Sequence, residues 1–341
     1  MSTFAAEMEK TVHDLTAPGR GILAADESGG TIEKRFKVVN APSTEETRRD
    51  YREMLFSASG LSAFVSGVIL FEETLKQKSA AGVPFPQLLA AQGMVPGIKV
   101  DKGTVPLPGF PGEKLTQGLD GLPDRLAEYK KLGARFAKWR AVIDIGPGIP
   151  TSQGIAANAY ALARYAAICQ EQGIVPIVEP EVLMDGDHTL AASARVTEEV
   201  LHLVFEALYR HRVVLECIIL KPNMVVPGIK CPEQAAPAEV GRATLACLRR
   251  KVPAAVPGIF FLSGGQSDEA ATANLNAMNA MGSRQPWVLS FSYGRALQAA
   301  ALKAWQGQAT NKARGQQALL LRARLNGAAR DGKYTKQMET A

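Results

Sequence analysis

Short apolar runs recur along the chain, and longer amphipathic or Ala-rich stretches fill the intervals. Eight of the runs read as strands: Gly21–Asp26, Val65–Phe71, Met94–Val100, Phe136–Ile145, Ile174–Leu183, Val213–Lys221, Ala255–Ser263 and Trp287–Gly294. Apolar runs bounded by turn residues suit strands covered on both faces. Between them lie helix signals. Ser43 with Glu46 three residues on is a capping-box pattern ahead of Arg48–Ser57. Gln153–Gln172 is Ala-rich and stops at Gly173, a C-cap signal. Thr189–Arg212 and Glu239–Lys251 have helical spacing, and Ser267-Asp268-Glu269 opens a helix before Leu275 and Met278. A helix around Gln298–Leu325 and a tail follow the eighth strand, and the Pro/Gly-rich Val105–Gly112 reads as a loop. Strand–helix alternation implies a parallel sheet with right-handed crossovers. Eight repeats close most economically as an α/β fold of the (β/α)8 TIM-barrel type. An open doubly wound sheet shares the same periodicity.

Composition narrows this picture. A chain of 341 residues could hold two domains, but barrels of this size are single units, and no Ser/Gly/Pro-rich linker divides it. Residues 1–341 therefore read as one catalytic domain, with the C-terminal helix and tail at about 298–341. No run approaches the roughly 18 apolar residues of a membrane span, and MSTFAAEMEK lacks the order of a signal peptide. Cys169, Cys217, Cys231 and Cys247 show no close pairing, which suits reduced thiols in the cytoplasm. The net charge of +6 comes mostly from residues 309–341, where seven Lys/Arg face two acids, 7 − 2 = +5. A solvated helix face explains that excess without a nucleic-acid or membrane partner.

The chemistry starts at Lys221, which interrupts the apolar run VVLECIILKPNMVV. Pro222 cannot continue the ladder, so Lys221 stands at a strand end, on the face of Leu215, Cys217 and Ile219. A lone lysine there usually snorkels. The sharper reading is an amine that attacks a carbonyl to form a Schiff base. The other strand ends favour the second. They hold Asp26, Glu72, Lys99, Lys138 with Arg140, Glu179 with Glu181, Ser263-Gly264-Gly265 and Ser292-Tyr293-Gly294-Arg295, a ring of charge where barrel chemistry gathers. Glu179 and Glu181 flank Pro180 and project to one side. Their crowding suits one of them to proton transfer, although salt-bridged loop carboxylates are the ordinary alternative. Lys138 and Arg140 also share a face, and a second cation beside Lys221 would favour the free nucleophile. Asp26 could hold a lysine or a substrate hydroxyl, or cap a helix.

Two places suit phosphate. FLSGGQS and SFSYGRAL place glycines and Arg295 after the seventh and eighth strands, each ahead of a helix. Ser28-Gly29-Gly30-Thr31 with Lys34, Arg35 and Lys99 forms a second cluster, implying a substrate phosphorylated at both ends. His13, His188, His202 and His211 form no ligand pair, and Asp185-Gly186-Asp187-His188 could mimic a metal site but reads better as a turn, so a metal mechanism is poorly supported.

GRGILAADES, GIKVDKG, TQGLDGL, FAKWR, PIVEPEVLMDGDH, LKPNMVVPG, FLSGGQSDE and FSYGRALQ together resemble class I fructose-1,6-bisphosphate aldolase, the metal-independent Schiff-base type. The match is collinear from about Thr11 to Thr335. It implies a (β/α)8 barrel, a homotetramer, no cofactor, and reversible cleavage of fructose 1,6-bisphosphate to dihydroxyacetone phosphate and glyceraldehyde 3-phosphate in glycolysis and gluconeogenesis. By motif, Lys221 matches the iminium lysine, Glu179 the proton relay and Glu181 its acidic neighbour. Lys138 and Asp26 match the residues that orient Lys221 and the cleavage step. Ser263, Gly264, Gly294 and Arg295 match the C1-phosphate binders, while Ser28, Thr31 and Lys99 would contact the C6 phosphate. Arg140 and Ser292 complete the expected substrate-binding set. Thr31 stands where the family typically has Ser, a hydroxyl for a hydroxyl. Animal-type members close on a Tyr that assists proton exchange on the enamine, whereas this sequence ends Glu339-Thr340-Ala341. That leaves turnover, enamine protonation and preference between the bisphosphate and fructose 1-phosphate open. Two other readings remain: a Schiff-base barrel on another phosphosugar, needing one phosphate site, and a barrel with a scaffold role that docks an acidic partner on its basic helix.

Overall fold

The computed structural model describes residues 4–282 and 284–340. Its strands are β1 (Gly21–Ala25), β2 (Val65–Leu70), β3 (Val95–Lys99), β4 (Thr104–Pro106), β5 (Lys114–Thr116), β6 (Phe136–Ile143), β7 (Val175–Val182), β8 (Ile219–Leu220), β9 (Gly258–Phe261) and β10 (Val288–Tyr293). Eight of them close a barrel in the order β1-β2-β3-β6-β7-β8-β9-β10, and every neighbouring pair is parallel. The open-sheet alternative is thereby settled. Helices cover the outer face, so β1, β2, β7 and β9 are buried at every position. That is why they appear in the sequence as unbroken apolar runs.

Inside the barrel, Ile22, Ala24, Ile69, Phe136, Val175, Ile177, Cys217, Ile219 and Phe260 form their own apolar cluster. An N-terminal helix, Ala5–Leu15, adds Met8, Val12 and Leu15 from one face to this cluster. A Cβ on Gly97 would lie 2.3 Å from the Phe136 ring, and one on Gly67 would lie 2.6 Å from Leu15 Cδ2. Glycine there lets a phenyl ring and a leucine fill the barrel floor. The polar chemistry is left to the opposite end, where the strands finish.

Several local expectations change. The sixth barrel strand is far shorter than Val213–Lys221: Leu215–Cys217 tightens into a 3-10 turn and only Ile219–Leu220 pairs. Cys217 and Ile219 still face the barrel interior, so the parity that carries Lys221 survives. The helix expected over Gln298–Leu325 is two helices, Arg295–Trp305 and Lys312–Arg330. They are broken at Gln306 and Gly307, which both adopt positive φ, 55° and 73°. The N-cap ahead of the third helix is Thr44, not Ser43; its hydroxyl accepts from Thr47 N–H, and Ser43 binds Arg48 instead. Val105–Gly112 is a loop as expected except at Val105 and Pro106, which belong to β4; it joins β4 to β5 in an antiparallel hairpin. Glu72 begins a short helix and pairs with Lys76 at 2.8 Å, away from the charged ring.

The C-terminal cations also find local work. Arg322 is buried against Glu339 and Thr272, Arg330 donates to the carbonyls of Thr16 and Ala17, and Lys312 pairs with Glu53. These three dock the last helix on the barrel. No helix among the described residues is long and apolar enough to cross a membrane.

Candidate active site

Every residue singled out for catalysis or substrate binding lines one cleft of about 690 Å³ at the C-terminal end of the barrel. At its base the inward parity of the strands brings four ionisable groups together. Lys138, on β6 two residues beyond Phe136, lies 2.7 Å from Asp26 at the end of β1 and 3.2 Å from Glu179 on β7. Lys221, just past β8, places Nζ 3.4 Å from the other Glu179 oxygen. Lys138, Glu179 and Lys221 are deeply buried, Lys221 being 3% exposed, and Asp26 is mostly buried. Glu179 thus bridges two ammonium groups. Glu181, the next inward residue of β7, pairs with Arg140, the next inward residue of β6.

This geometry revises two expectations. The carboxylates of Glu179 and Glu181 are not left to repel one another, because each faces its own cation. Lys138 does not stand bare beside Lys221 either, because Glu179 and Asp26 neutralise it. Burial alone would push the Asp26 carboxyl up, but the charges of Lys138, Lys221 and Lys99 outweigh it and hold Asp26 well below the carboxylate range. Burial would lower Lys138, yet Asp26, Glu179 and Asp101 raise it above an ordinary lysine. Arg140 is raised in the same way, with Glu181 as the largest attraction opposing burial. The floor of the cleft is a fixed lattice of alternating charge.

The signs give a test of stability. A carboxyl depressed in the fold contributes fully above its unfolded value, about pH 4, and loses that contribution as pH falls towards its folded value. Lys138 works the other way: its contribution is complete below about pH 10 and disappears as pH rises through its higher folded value. Asp26→Asn should therefore flatten the acid limb of the stability curve. Denaturant midpoints at about pH 3, 5 and 7 measure it, and an equally steep acid limb in the variant would contradict the assignment.

Around the rim, two groups of loops face each other. On one side Gly264 adopts φ +56° after β9, and Ser267 caps the helix Asp268–Ala280. Gly294 precedes the helix Arg295–Trp305, and the Arg295 guanidinium donates to Gly264 O. On the other side Ser28 precedes the helix Gly29–Lys37, with its hydroxyl 3.2 Å from that of Thr31. Lys99 donates to Asp101 at 2.6 Å and to its carbonyl at 2.9 Å, which leaves one of its three N–H donors over. Ser292 Oγ is buried, lines the cleft and has no hydrogen-bond partner among the described residues.

Sequence reasoning missed Asp101, which orients Lys99 and meets the Arg140 amide at 3.4 Å. It also missed Glu27, which lines the cleft, ties up Arg35 of the second cluster and reaches Arg52 and Gln298 behind it, where Gln298 donates to Ala24 O at 2.7 Å. Tyr334 is buried with its hydroxyl on Glu339 at 2.9 Å and does not line the cleft. Among the described residues no group of three or more His, Cys, Asp or Glu side chains could hold a metal, and His188 stands alone with both ring nitrogens unpartnered.

The family model for class-I fructose-bisphosphate aldolase matches residues 7–341. A probable fructose-bisphosphate aldolase class 1 of Xylella fastidiosa is 56% identical over 329 residues, 96% of this chain and 98% of that protein. Fructose-bisphosphate aldolase 1 of Toxoplasma gondii is 56% identical over 332 residues, covering 97% of this chain and 91% of its own. The solved structure of the Plasmodium falciparum fructose-bisphosphate aldolase superposes with a TM-score of 0.97 at 52% identity, covering 98% of this chain and 97% of the other. The chain belongs to the class-I fructose-bisphosphate aldolase family and is a carbon–carbon lyase of that type.

Proposed function

We propose that Lys221 is the Schiff-base lysine of fructose 1,6-bisphosphate cleavage and that Glu179 is its proton partner. One observation carries this reading: an almost wholly buried lysine opens on the cleft with a carboxylate oxygen 3.4 Å from Nζ. Passing the ammonium proton to Glu179 frees the lone pair, which attacks the C2 carbonyl of the open-chain sugar. The carbinolamine hydroxyl takes that proton back from Glu179 and leaves as water, giving a protonated iminium and a Glu179 carboxylate again. Glu179 then removes the C4 hydroxyl proton, the C3–C4 bond breaks, and glyceraldehyde 3-phosphate leaves. The bonding electrons pass into the iminium as an enamine, which a ketone could not accommodate as well. Protonation at C3 and hydrolysis release dihydroxyacetone phosphate and restore Lys221.

Lys138 and Asp26 position Glu179 and Lys221 through the charge lattice, while Glu181, Arg140 and Ser292 line the sugar path. The unpartnered Ser292 hydroxyl supports a contact to substrate, since a buried hydroxyl without a partner is costly. Ser263, Gly264, Gly294 and Arg295 take the C1 phosphate; Ser28, Thr31 and Lys99 take the C6 phosphate. Both ends held at once make the cleavage step intramolecular in character.

Two substitutions test the phosphate assignment. Arg295→Ala should raise KM for both fructose 1,6-bisphosphate and fructose 1-phosphate by about tenfold to a hundredfold, the size of a charged hydrogen bond. Lys99→Ala should do so for the bisphosphate alone. Equal losses on both substrates from Lys99→Ala would remove the second phosphate site and favour an enzyme for a singly phosphorylated sugar. A single catalytic domain, a homotetramer and a place in the cytoplasm complete the reading; a relative from Arabidopsis thaliana, 55% identical, carries the name cytosolic. Sedimentation at four times the chain mass checks the assembly.

A further inference from the structure

Met184 bridges two loops of the cleft in a way that the reaction does not require. Its backbone is fixed, with Ile229 N–H donating to Met184 O at 2.7 Å. Its side chain crosses the rim to the loop after β9, where the Gly265 N–H donates to the thioether sulfur at 3.2 Å. The fit is close: a Cβ on Gly265 would lie 2.9 Å from Sδ and 3.1 Å from Cγ of Met184. Arg295 holds the same loop from its other side through Gly264 O. The loop conformation, with Gly264 at φ +56°, is therefore set between a guanidinium and a sulfur.

We propose that Met184 is a positioning residue for the Ser263–Gly265 loop and a site of reversible oxidation that lowers the loop's affinity for phosphate. This rests on the reading of that loop as the C1-phosphate site. Met184 is partly exposed and lines the cleft, so a small oxidant reaches its sulfur. Among the described residues competing sulfurs are few. Met8, Met54, Met94, Met224 and Met278 are at most 2% exposed, and all four cysteines are buried. Met281 and Met338 are also partly exposed but lie outside the cleft, which makes them internal controls. With hydrogen peroxide the O–O bond breaks, one oxygen adds to the sulfur lone pair, and the other leaves as water. The sulfur loses two electrons, and a reductase can return them. No space exists between sulfur and Gly265 for the added oxygen, so the loop must shift or the oxygen must point into the phosphate space. Substrate phosphate, by covering the sulfur, slows the reaction.

The test treats the whole enzyme with hydrogen peroxide, maps oxidised methionines by peptide mass spectrometry, and measures steady-state kinetics on the same samples. KM should rise about threefold to tenfold, the size of one lost hydrogen bond, in step with Met184 sulfoxide and not with sulfoxide at Met281 or Met338. Methionine sulfoxide reductase should reverse it. Met184→Leu should show a raised starting KM and no further response to peroxide. An equal response from Met184→Leu, or full Met184 oxidation with KM unchanged, overturns the inference. Calorimetry with inorganic phosphate separates the two layers: binding that persists undiminished after Met184 oxidation overturns the inference alone, whereas no binding to the unoxidised enzyme overturns the loop reading with it.

Discussion

Lys221→Met should remove cleavage activity, by at least about 10⁴-fold in kcat, while the protein stays folded. Methionine matches the lysine stem in length and volume and has no amine, so neither carbinolamine nor enamine can form. The fold tolerates the change because of how the charges are shared. Glu179 keeps its contact with Lys138 at 3.2 Å when Lys221 is gone, so no buried carboxylate is stranded. The charged floor loses one member at its edge, and the apolar cluster of Cys217 and Ile219 beneath is untouched. Circular dichroism and thermal melting check the fold, and a coupled assay checks turnover. A variant that is folded and retains even a hundredth of the wild-type kcat would take the nucleophile away from Lys221.

Glu179→Gln should lower kcat by about 10²- to 10⁴-fold, the range of a lost proton-transfer group, with KM changed only a few-fold. Glutamine keeps the size of the side chain and a hydrogen-bonding oxygen towards Lys138 or Lys221. It cannot take the proton from Lys221 or from the C4 hydroxyl. The proposed phosphate contacts lie at the rim, so binding of the sugar ends is spared. Both parameters come from one set of initial-rate curves. A large rise in KM with kcat intact would make Glu179 a binding group, and the proton relay would then have to be sought at Asp26 or Glu181.

Strand parity made the site legible in the sequence. Ladders buried on both faces wrote unbroken apolar runs, and apart from Glu72 the charged residues at their ends pointed into the barrel: Lys138 and Arg140 after Phe136, Glu179 and Glu181 after Ile177. Glycines after β9 and β10 were equally visible, and they suit the proposed phosphate loops, where backbone must run where side chains cannot. What parity could not give was partnership. Whether Glu179 faces Glu181 or two lysines depends on the stagger between β6, β7 and β8, which no single strand encodes. The same holds for Glu27 with Arg52 and Gln298, residues 25 and 271 positions apart. The length of β8 was misjudged because an apolar run such as VVLECIIL suits a 3-10 turn against the wall as well as a strand. The N-terminal helix was missed for a related reason: its apolar face, Met8, Val12 and Leu15, is short and only gains meaning once the barrel floor exists to receive it.

The central claim is that a covalent bond forms between Lys221 and the substrate ketone. Borohydride reduction in the presence of dihydroxyacetone phosphate and EDTA, followed by peptide mass mapping, tests it most directly. A stable adduct on the peptide carrying Lys221, with full activity in EDTA before reduction, is the predicted result. An unmodified Lys221, an adduct on another lysine, or activity lost to EDTA would contradict it and make the buried lysine a structural member of the charge lattice.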